Sequence, residues 1–417
     1  MIFILNVNGS PLMPCENVIG RLLLKQGKVK VKWQTPFTIK LTRKPETEYV
    51  QKLTLGVDSG SGKFGSGVTD GKGNALYASE VEVRNDIKMK MDRRRKYRRA
   101  KRWRKCRYRK PRFLNRKNSN KKGRFSPTMN SKIESHLREI EFVKNILPIV
   151  KVIIETGTFD PHALKNPAVL QNPILYQKGL KYGFNNAKAC VLHRDNYTCR
   201  HCKGKSGDKR LHCHHIVYKE NGGSDEPENL VVLCKTCHSE LHDGKIILKT
   251  KGTRGGLLAG ATQMNSIRKQ LLKRTKAIET FGFVTKTHRE SLGLPKYHFI
   301  DALVVASQGK PIMFKNDKIF LKKCIPRGDY QQTKGVRSEK RIATGKLFGF
   351  RKFDKVRYKG RDYFIKGKRA SGYFELMNIH GNHQSLKPIP KASLLTRISA
   401  RTSWMVEEKR MRIKIKI

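Results

Sequence analysis

Short apolar runs separated by Gly-rich turns dominate the first 83 residues, and this pattern predicts strands. MIFIL at the start predicts a strand, residues at about 16–26 a short helix, and the following basic segment two strands. The segments LTLGVDSG, FGSGVTD and ALYASEVEV then predict a three-stranded antiparallel meander with Asp58 at the end of its first strand. Gly65 and Gly67 would let a backbone or a nucleic-acid strand approach this sheet closely.

Further along the chain, the spacing of apolar residues predicts helices and buried strands. Residues 131–147 place six apolar positions on one helix face, and VKVIIETG predicts a buried strand closed by Glu155. We expect a connector at 158–190 and a second, Gly-rich connector after the cysteine-containing segment that follows it. Further along, we expect a helix at about 262–280 and a strand around GFVTKT. The segment YHFIDALVVAS then places His298 and Asp301 on one helical face. After about residue 330, short strands predict a small SH3-like barrel, which either grips duplex DNA or only stabilises the assembly.

The net charge of the chain indicates what kind of molecule it binds. The 417 residues contain 90 Lys and Arg against 33 Asp and Glu, a formal net charge of +57 with a pI near 10.3. Such self-repulsion favours a polyanion partner. No apolar run approaches the roughly 18–20 residues of a membrane span, and MIFIL lacks the basic region of a signal peptide. Four of the nine cysteines form Cys-x-x-Cys pairs and the rest show no framework spacing, which fits a reducing compartment such as the cytosol.

The densest charge lies inside the chain. About half of residues 84–124 are Lys or Arg, and 86–110 can form one helix with charge on all sides. A solvated helix face or a disordered tail is the plain alternative, but like charges at this density repel unless phosphates lie between them. We therefore expect a nucleic-acid contact through the arginines of this helix: Arg93, Arg94, Arg95, Arg98, Arg99, Arg102, Arg104, Arg107 and Arg109.

The segment from Cys199 to His242 carries the clearest motif. Two Cys-x-x-Cys pairs, Cys199/Cys202 and Cys234/Cys237, predict a structural zinc site. They bracket a His-His pair, an asparagine and a His-x-x-x-His, and this order resembles the HNH nucleases, whose fold is called ββα-metal. A plain zinc ribbon is the alternative.

The HNH resemblance implies a role for each polar residue between the cysteine pairs. His215 is the general base, and His214 is a ligand of one Mg²⁺ that acts as a Lewis acid. Asn229 either binds that metal or orients His215. His238 and His242 complete the metal site, or His238 only packs against the zinc knuckle.

Three scattered carboxylates form a second candidate centre. Asp58, Glu155 and Asp301 suit two Mg²⁺ ions about 4 Å apart, and His298 could activate water or support the leaving group. The split LGVDSG, VIIETG and YHFIDA resembles a RuvC nuclease, which has an RNase H-like fold, in three segments.

The order of all these segments resembles the IscB family, transposon-encoded ancestors of the type II CRISPR effectors. The resemblance implies an α/β multidomain protein with an RNase H-like mixed sheet in three segments, an inserted HNH domain, a bridge helix and a small C-terminal barrel. The implied domains are these: PLMP 1–50, RuvC-I 51–83, bridge helix 84–124, RuvC-II 125–160, linker 161–190, HNH 191–245, linker 246–262, RuvC-III 263–328, and a C-terminal domain at 329–417 that contacts the target-adjacent motif.

The activity of the IscB family gives the expectation for the function of this chain. The resemblance implies a monomer that binds a guide ωRNA and cuts double-stranded DNA, with HNH cutting the guide-paired strand and RuvC the displaced strand. One departure is the His214-His215 pair, where the CRISPR relatives usually carry Asp-His, so metal preference could shift. Two other hypotheses stay open: a protein-only HNH endonuclease of the homing or restriction type, and a basic RNA-binding scaffold without catalysis.

Overall fold

The computed structural model describes residues 1–104, 124–253, 257–326 and 345–411. The chain divides into two compact units. The first combines Met1–Gly157 with Ile267–Ile417, and the second is Thr158–Ser266. The second unit is thus an insertion between two parts of the first.

The strands of the described residues are β1 Phe3–Leu5, β2 Val29–Gln34, β3 Phe37–Leu41, β4 Leu53–Asp58, β5 Lys63–Thr69, β6 Ala75–Glu82, β7 Ile149–Thr156, β8 Leu211–His215, β9 Leu230–Cys234, β10 Ile278–Phe281, β11 Lys318–Cys324, β12 Lys355–Tyr358, β13 Arg361–Lys368, β14 Phe374–Met377, β15 His383–Gln384, β16 Thr396–Ser399 and β17 Trp404–Arg410. The α-helices are α1 Asn17–Lys25, α2 Ile87–Arg104, α3 Pro127–Lys144, α4 Pro161–Lys165, α5 Ala187–Arg194, α6 Lys235–His242, α7 Leu257–Thr275, α8 Gly282–Ser291 and α9 His298–Ser307.

A seven-stranded sheet, called here the large sheet, forms the core of the first unit. Its order is β10-β7-β4-β5-β6-β11-β17. β4, β5 and β6 pair antiparallel, whereas β7 runs parallel to β4 and β10 parallel to β7. The predicted meander is therefore confirmed, and the strand that carries Glu155 lies directly beside the one that carries Asp58.

Glycines on β4 and β5 bring α9 unusually close to the large sheet. A Cβ atom at Gly65 would lie 2.0 Å from the carbonyl oxygen of His298, and one at Gly67 would lie 2.8 Å from the side chain of Leu303. Only glycine leaves this room. The close approach that the sequence indicated is therefore made by the backbone of α9, which sets His298 against the end of β4.

A buried ion pair joins α3 to the other face of the large sheet. The side chains of Glu139 and Lys322 are fully buried, and Lys322 Nζ lies 2.8 and 2.9 Å from the two Glu139 carboxylate oxygens. Ser66, Ser79 and Tyr77 also donate hydrogen bonds to Glu139 Oε1. The ammonium, the carboxylate and the three hydroxyl groups of this network therefore have hydrogen-bond partners, which makes the burial of the two charges tolerable.

Two smaller sheets complete the first unit. The amino-terminal strands form a sheet in the order β1-β3-β2, so the strands and short helix predicted there are confirmed. Toward the carboxyl terminus β12 to β16 form an antiparallel sheet in the order β15-β14-β13-β12-β16, without pairing of its outer strands among the described residues. β17, expected to belong to this part, instead pairs with β11 in the large sheet.

The segment GFVTKT is a helix and not the strand that the sequence suggested. The strand is β10, and α8 begins at the next residue, Gly282. The β-branched residues of GFVTKT favour a strand. The buried positions of α8, however, are Thr285 and Arg289, which are four residues apart and therefore follow the helical period. Packing of α8 against α9 overrides the local preference.

The inserted second unit has its two ends tied together. The backbone N–H of Phe159 donates to Asn265 Oδ1 at 3.1 Å, and Asn265 Nδ2 donates back to the Phe159 carbonyl at 2.7 Å. Between these ends, the hairpin of β8 and β9 leads directly into α6.

Candidate functional site

The hairpin and α6 form a ββα element in the second unit. His214 lies opposite Val231 and His215 opposite Leu230 across the hairpin. Successive side chains of a strand point to opposite faces. His214 is accordingly buried, at 5% exposure, whereas the side chain of His215 is 27% exposed.

Four cysteines meet at one end of this element. The sulfur atoms of Cys199, Cys202, Cys234 and Cys237 all lie within 4.8 Å of one another. The 3.8 Å between the sulfurs of Cys202 and Cys234 exceeds the roughly 2.05 Å of a disulfide. It matches two thiolates at about 2.3 Å from a shared tetrahedral zinc ion. The donor set thus fits the structural zinc expected from the sequence.

Loss of this four-cysteine site is expected to unfold the ββα element. Cys234 both belongs to the site and caps α6, since its sulfur accepts a hydrogen bond from the Cys237 backbone. Cys234→Ser should therefore lower bound zinc and expose the second unit to limited proteolysis, because metal binding supplies folding free energy in such small elements. Cys213→Ser, outside the site, is the matched control; zinc content and protease resistance unchanged in both variants would contradict the expectation.

Three histidines, called here the imidazole cluster, converge beside the hairpin. His214 on β8 and His238 and His242 on α6 bring ligand nitrogens within 4.8 Å of one another. Burial, followed by repulsion from the other two imidazoles, lowers the pKa of His214 to about 4. Burial also lowers the pKa of His238. At neutral pH both rings are therefore neutral, the form that binds metals.

The Asn229 side chain holds the loop that follows β8. It is fully buried. Its Oδ1 accepts from the Val217 backbone at 2.9 Å, and its Nδ2 donates to the carbonyls of Val217 and Ser224. Both ends of the Asn229 amide are thus hydrogen-bonded to the loop, and the residue grouped with His214 and His238 is His242.

His215 faces a carboxylate that the sequence analysis missed. Its Nε2 lies 2.8 Å from Asp225 Oδ1, and the Lys219 ammonium lies 2.7 Å from the same oxygen. A carboxylate at this position fixes the tautomer, since Nε2 donates to it and Nδ1 is left as the acceptor. Asp225 lies in a Gly- and Ser-containing loop whose shape no local pattern reveals.

The carboxylates of the first unit come together at one end of β4 and β7. Asp58 and Glu155 are direct partners in the strand register, and His298 Nδ1 donates to Asp58 Oδ2 at 2.6 Å. Asp301, one turn along α9, is 9% exposed and interacts electrostatically with Asp58. The sequence-predicted residues of this carboxylate site are thus brought together.

Burial and neighbouring negative charge make Glu155 and Asp301 reluctant to ionise. Burial, and then Asp58, raise the pKa of Glu155 to about 7, and the same causes raise that of Asp301 to about 6. The hydrogen bond from His298 to Asp58 raises the pKa of the imidazole. Glu155 Oε2 is buried without a hydrogen-bond partner. Oxygen ligands that repel one another and lack partners fit hard divalent cations.

Two supports of the carboxylate site were not visible in the sequence. Arg289 on α8 lies 2.8 Å from Asp301 Oδ1 and offsets part of the negative charge. On α3, buried His136 accepts from the Gly60 backbone at 3.4 Å, just after Asp58. Both contacts join segments distant in sequence, so no spacing pattern could have revealed them.

The basic helix α2 carries several exposed arginines. Arg93, Arg94, Arg95, Arg98 and Arg99 are exposed, and Arg95 forms an ion pair with Asp92 at 3.0 Å. Arg102 and Arg104 continue the same helix, whereas Arg107 and Arg109 lie outside the described residues. No described helix is both long and apolar enough to cross a membrane.

Comparisons with known families match two segments of the chain. Residues 2–179 match the family model described as RRXRR protein, and residues 199–244 match that of HNH endonuclease. The second segment contains the four-cysteine site and the imidazole cluster.

Curated relatives share only short segments. The type IV methyl-directed restriction enzyme EcoKMcrA of Escherichia coli is 37% identical over 65 residues, 14% of this chain and 23% of that protein. A putative DNA mismatch repair protein mutS homolog of Acanthamoeba polyphaga mimivirus is 27% identical over 140 residues, 28% of this chain and 12% of that protein. The chain therefore spans less than a quarter of the length of either.

Solved structures of Streptococcus thermophilus Cas9 show a weak overall likeness. The complex with the AGAA PAM gives a TM-score of 0.33 at 11% identity, covering 60% of this chain and 32% of that one. The complex with the GGAA PAM gives 0.31 at 12% identity, covering 58% and 32%. At these TM-scores the superposition carries no argument about the fold.

Proposed function

We propose, since this chain belongs to the broad IscB/Cas9-like family of HNH nucleases, that it is an RNA-guided double-stranded DNA endonuclease of the IscB type. The observation that carries the proposal is the presence of two separate candidate centres in one chain. Cutting both strands of a duplex requires two hydrolytic events, and two centres supply them. The exposed arginines of α2 and the net charge of +57 supply the grip on nucleic acid.

At the HNH centre, His215 takes a proton from the attacking water. Asp225 holds the imidazole by its Nε2, so that Nδ1 is the base. A divalent ion bound here would polarise the scissile phosphate. We assign this centre to the strand paired with the guide.

At the carboxylate site, Asp58, Glu155 and Asp301 would hold two divalent ions, with Mg²⁺ as the expected metal. Such ions stabilise the attacking and leaving oxygens of an in-line displacement. His298, whose side chain is 41% exposed, can exchange protons with solvent while Asp58 fixes its other nitrogen. The order β6-β5-β4-β7-β10, three antiparallel strands followed by two parallel ones, supports an RNase H-like core. We assign this centre to the displaced strand.

Recovery of a defined RNA is the decisive test of guidance. The protein is expressed with its native flanking DNA and purified in high salt, because its charge retains any RNA at low ionic strength. One dominant structured RNA joined to a variable segment is expected, and a duplex matching that segment should be cut. A mixture of ribosomal and transfer RNA fragments would contradict the proposal.

The restriction-enzyme match favours a second candidate function. EcoKMcrA shares 37% identity with 65 residues of this chain, so a protein-only HNH endonuclease is the alternative. It predicts sequence- or modification-dependent cutting by RNA-free protein. It leaves the carboxylate site without a role.

The carboxylate site should make the metal-free protein less stable as pH rises. An acid whose pKa is higher in the folded than in the unfolded state binds its proton more tightly when folded. This tighter proton binding stabilises the folded state fully at pH values below the unfolded pKa. That contribution is lost as pH rises from 4.5 toward the folded pKa of Glu155, about 7. Glu155→Gln abolishes this loss, so its melting temperature relative to the parent should increase between about pH 5 and about pH 8. Glu141→Gln, at an exposed position of α3, is the control; a constant difference in melting temperature between Glu155→Gln and the parent would contradict the assignment.

A further inference from the structure

The imidazole cluster offers nitrogen ligands alone. Among the described residues no carboxylate oxygen joins His214, His238 and His242 in a common ligand group. Mg²⁺ requires oxygen ligands, whereas imidazole suits zinc and its neighbours cobalt and nickel. The donor set therefore does not fit the single Mg²⁺ that the IscB resemblance implies for this centre.

The Asn229 amide and the Asp225 carboxylate are both engaged in other contacts. The Asn229 amide makes hydrogen bonds to the 217–224 loop through both its oxygen and its nitrogen. The Asp225 carboxylate contacts His215 and Lys219, on the other face of the hairpin strand from His214. Neither can turn toward the imidazole cluster without breaking the contacts that hold the loop.

The fold pre-organises the three nitrogens. His238 and His242 are four residues apart on α6, so they share one face of the helix, and their ring centroids lie 4.6 Å apart. Cys234, whose sulfur belongs to the four-cysteine site, caps the start of the same helix. His214 is held opposite by the hairpin register, with its ring 5.1 Å from that of His238 and 5.2 Å from that of His242. Three protein ligands leave a coordination position for water or phosphate, as catalytic zinc-type sites do.

We propose that the imidazole cluster binds a borderline transition-metal ion of the zinc, cobalt or nickel class in preference to Mg²⁺. The two centres of the chain then have different metal requirements. The binding claim stands on the donor set, and only its consequence for strand cutting rests on the proposed function.

Cobalt binding to the full-length chain tests the proposal directly. Zinc is kept in the four-cysteine site, and Glu155→Gln with Asp301→Asn removes competing oxygen ligands from the carboxylate site. We expect one Co²⁺ per chain, bound at least about a hundredfold more tightly than Mg²⁺ in competition, as the difference in ligand preference requires. The absence of thiolate-to-cobalt charge-transfer absorption shows that zinc has not been exchanged.

Matched variants identify the ligands. His242→Ala should weaken Co²⁺ binding by at least about tenfold while retaining one zinc, which verifies that the element is folded. His201→Ala, an exposed histidine between the first pair of cysteines, should leave binding unchanged. Equal affinity for Mg²⁺ and Co²⁺, or undiminished binding by His242→Ala, would overturn the proposal.

A carboxylate restored at the first position provides the reverse test. His214→Asp introduces an oxygen ligand and should shift the preference of the site toward Mg²⁺; a Co²⁺-to-Mg²⁺ affinity ratio unchanged by this variant counts against the proposal. In cleavage assays Co²⁺ should support cutting of the guide-paired strand when Mg²⁺ alone does not. If RNA-guided cutting never occurs in any metal, the proposed function fails while the binding measurements still decide the identity of the metal.

Discussion

Replacing Asp58 with alanine is expected to abolish cutting of the displaced strand while the guide-paired strand is still cut. Asp58 is the partner of Glu155 across β4 and β7 and accepts a hydrogen bond from His298 at 2.6 Å. Its loss would remove one oxygen ligand from the proposed metal site and the contact that fixes the His298 imidazole. Metal stabilisation amounts to several kcal/mol at the transition state, so the rate on that strand should fall by about 10³-fold or more.

The measurement is strand-resolved cleavage of a duplex labelled differently on each strand. His215→Ala should give the opposite nick, since it removes the proposed base of the other centre. Asp317→Ala, an exposed aspartate of the first unit, should cut both strands. Double-strand cutting by either Asp58→Ala or His215→Ala would show that the two centres do not divide the strands between them.

Glu139→Gln is expected to destabilise the first unit more than any surface substitution. Lys322 would keep a buried ammonium with no counter-charge, enclosed by Phe142 at 4.0 Å and Trp404 at 4.7 Å from their ring centroids. Breaking a buried pair from one side costs about 3–5 kcal/mol. Since burial already lowers the pKa of Lys322, the variant should meet this cost partly by releasing the proton.

The neighbouring pair supplies a matched comparison. Lys323 follows Lys322 on β11 and pairs with Glu82 at 2.8 Å, but both side chains are about a quarter exposed. Glu82→Gln should cost less than about 1 kcal/mol. Thermal unfolding of the metal- and RNA-free proteins, with hydrogen exchange of β5 and β6 to localise the effect, checks the difference. Equal shifts for Glu82→Gln and Glu139→Gln would mean that the buried charge is compensated in another way.

The sequence predicted what depends on local order. The meander before Asp58 follows from alternation and Gly-rich turns, and the shared face of His298 and Asp301 follows from helical spacing. The cysteine spacing likewise anticipated a four-sulfur site that the structure assembles. Each of these features is encoded within a few residues.

Features that depend on tertiary contacts escaped prediction. Arg289 reaches Asp301 because α8 packs on α9, and Glu139 meets Lys322 from 183 residues away. Asn229 was expected either to bind a metal or to orient His215, and the hydrogen bonds of its amide to the 217–224 loop were not anticipated. In each case a polar side chain has several possible partners, and only the packed structure selects among them.

The paired hydrogen bonds between Phe159 and Asn265 have a consequence for how such a chain can change over generations. They hold together the points where the chain enters and leaves the inserted unit, 106 residues apart. An insertion whose two ends lie together can be gained, lost or exchanged as a whole without distorting the large sheet. The Phe159–Asn265 pair also marks the position at which a different catalytic domain could be inserted into the first unit.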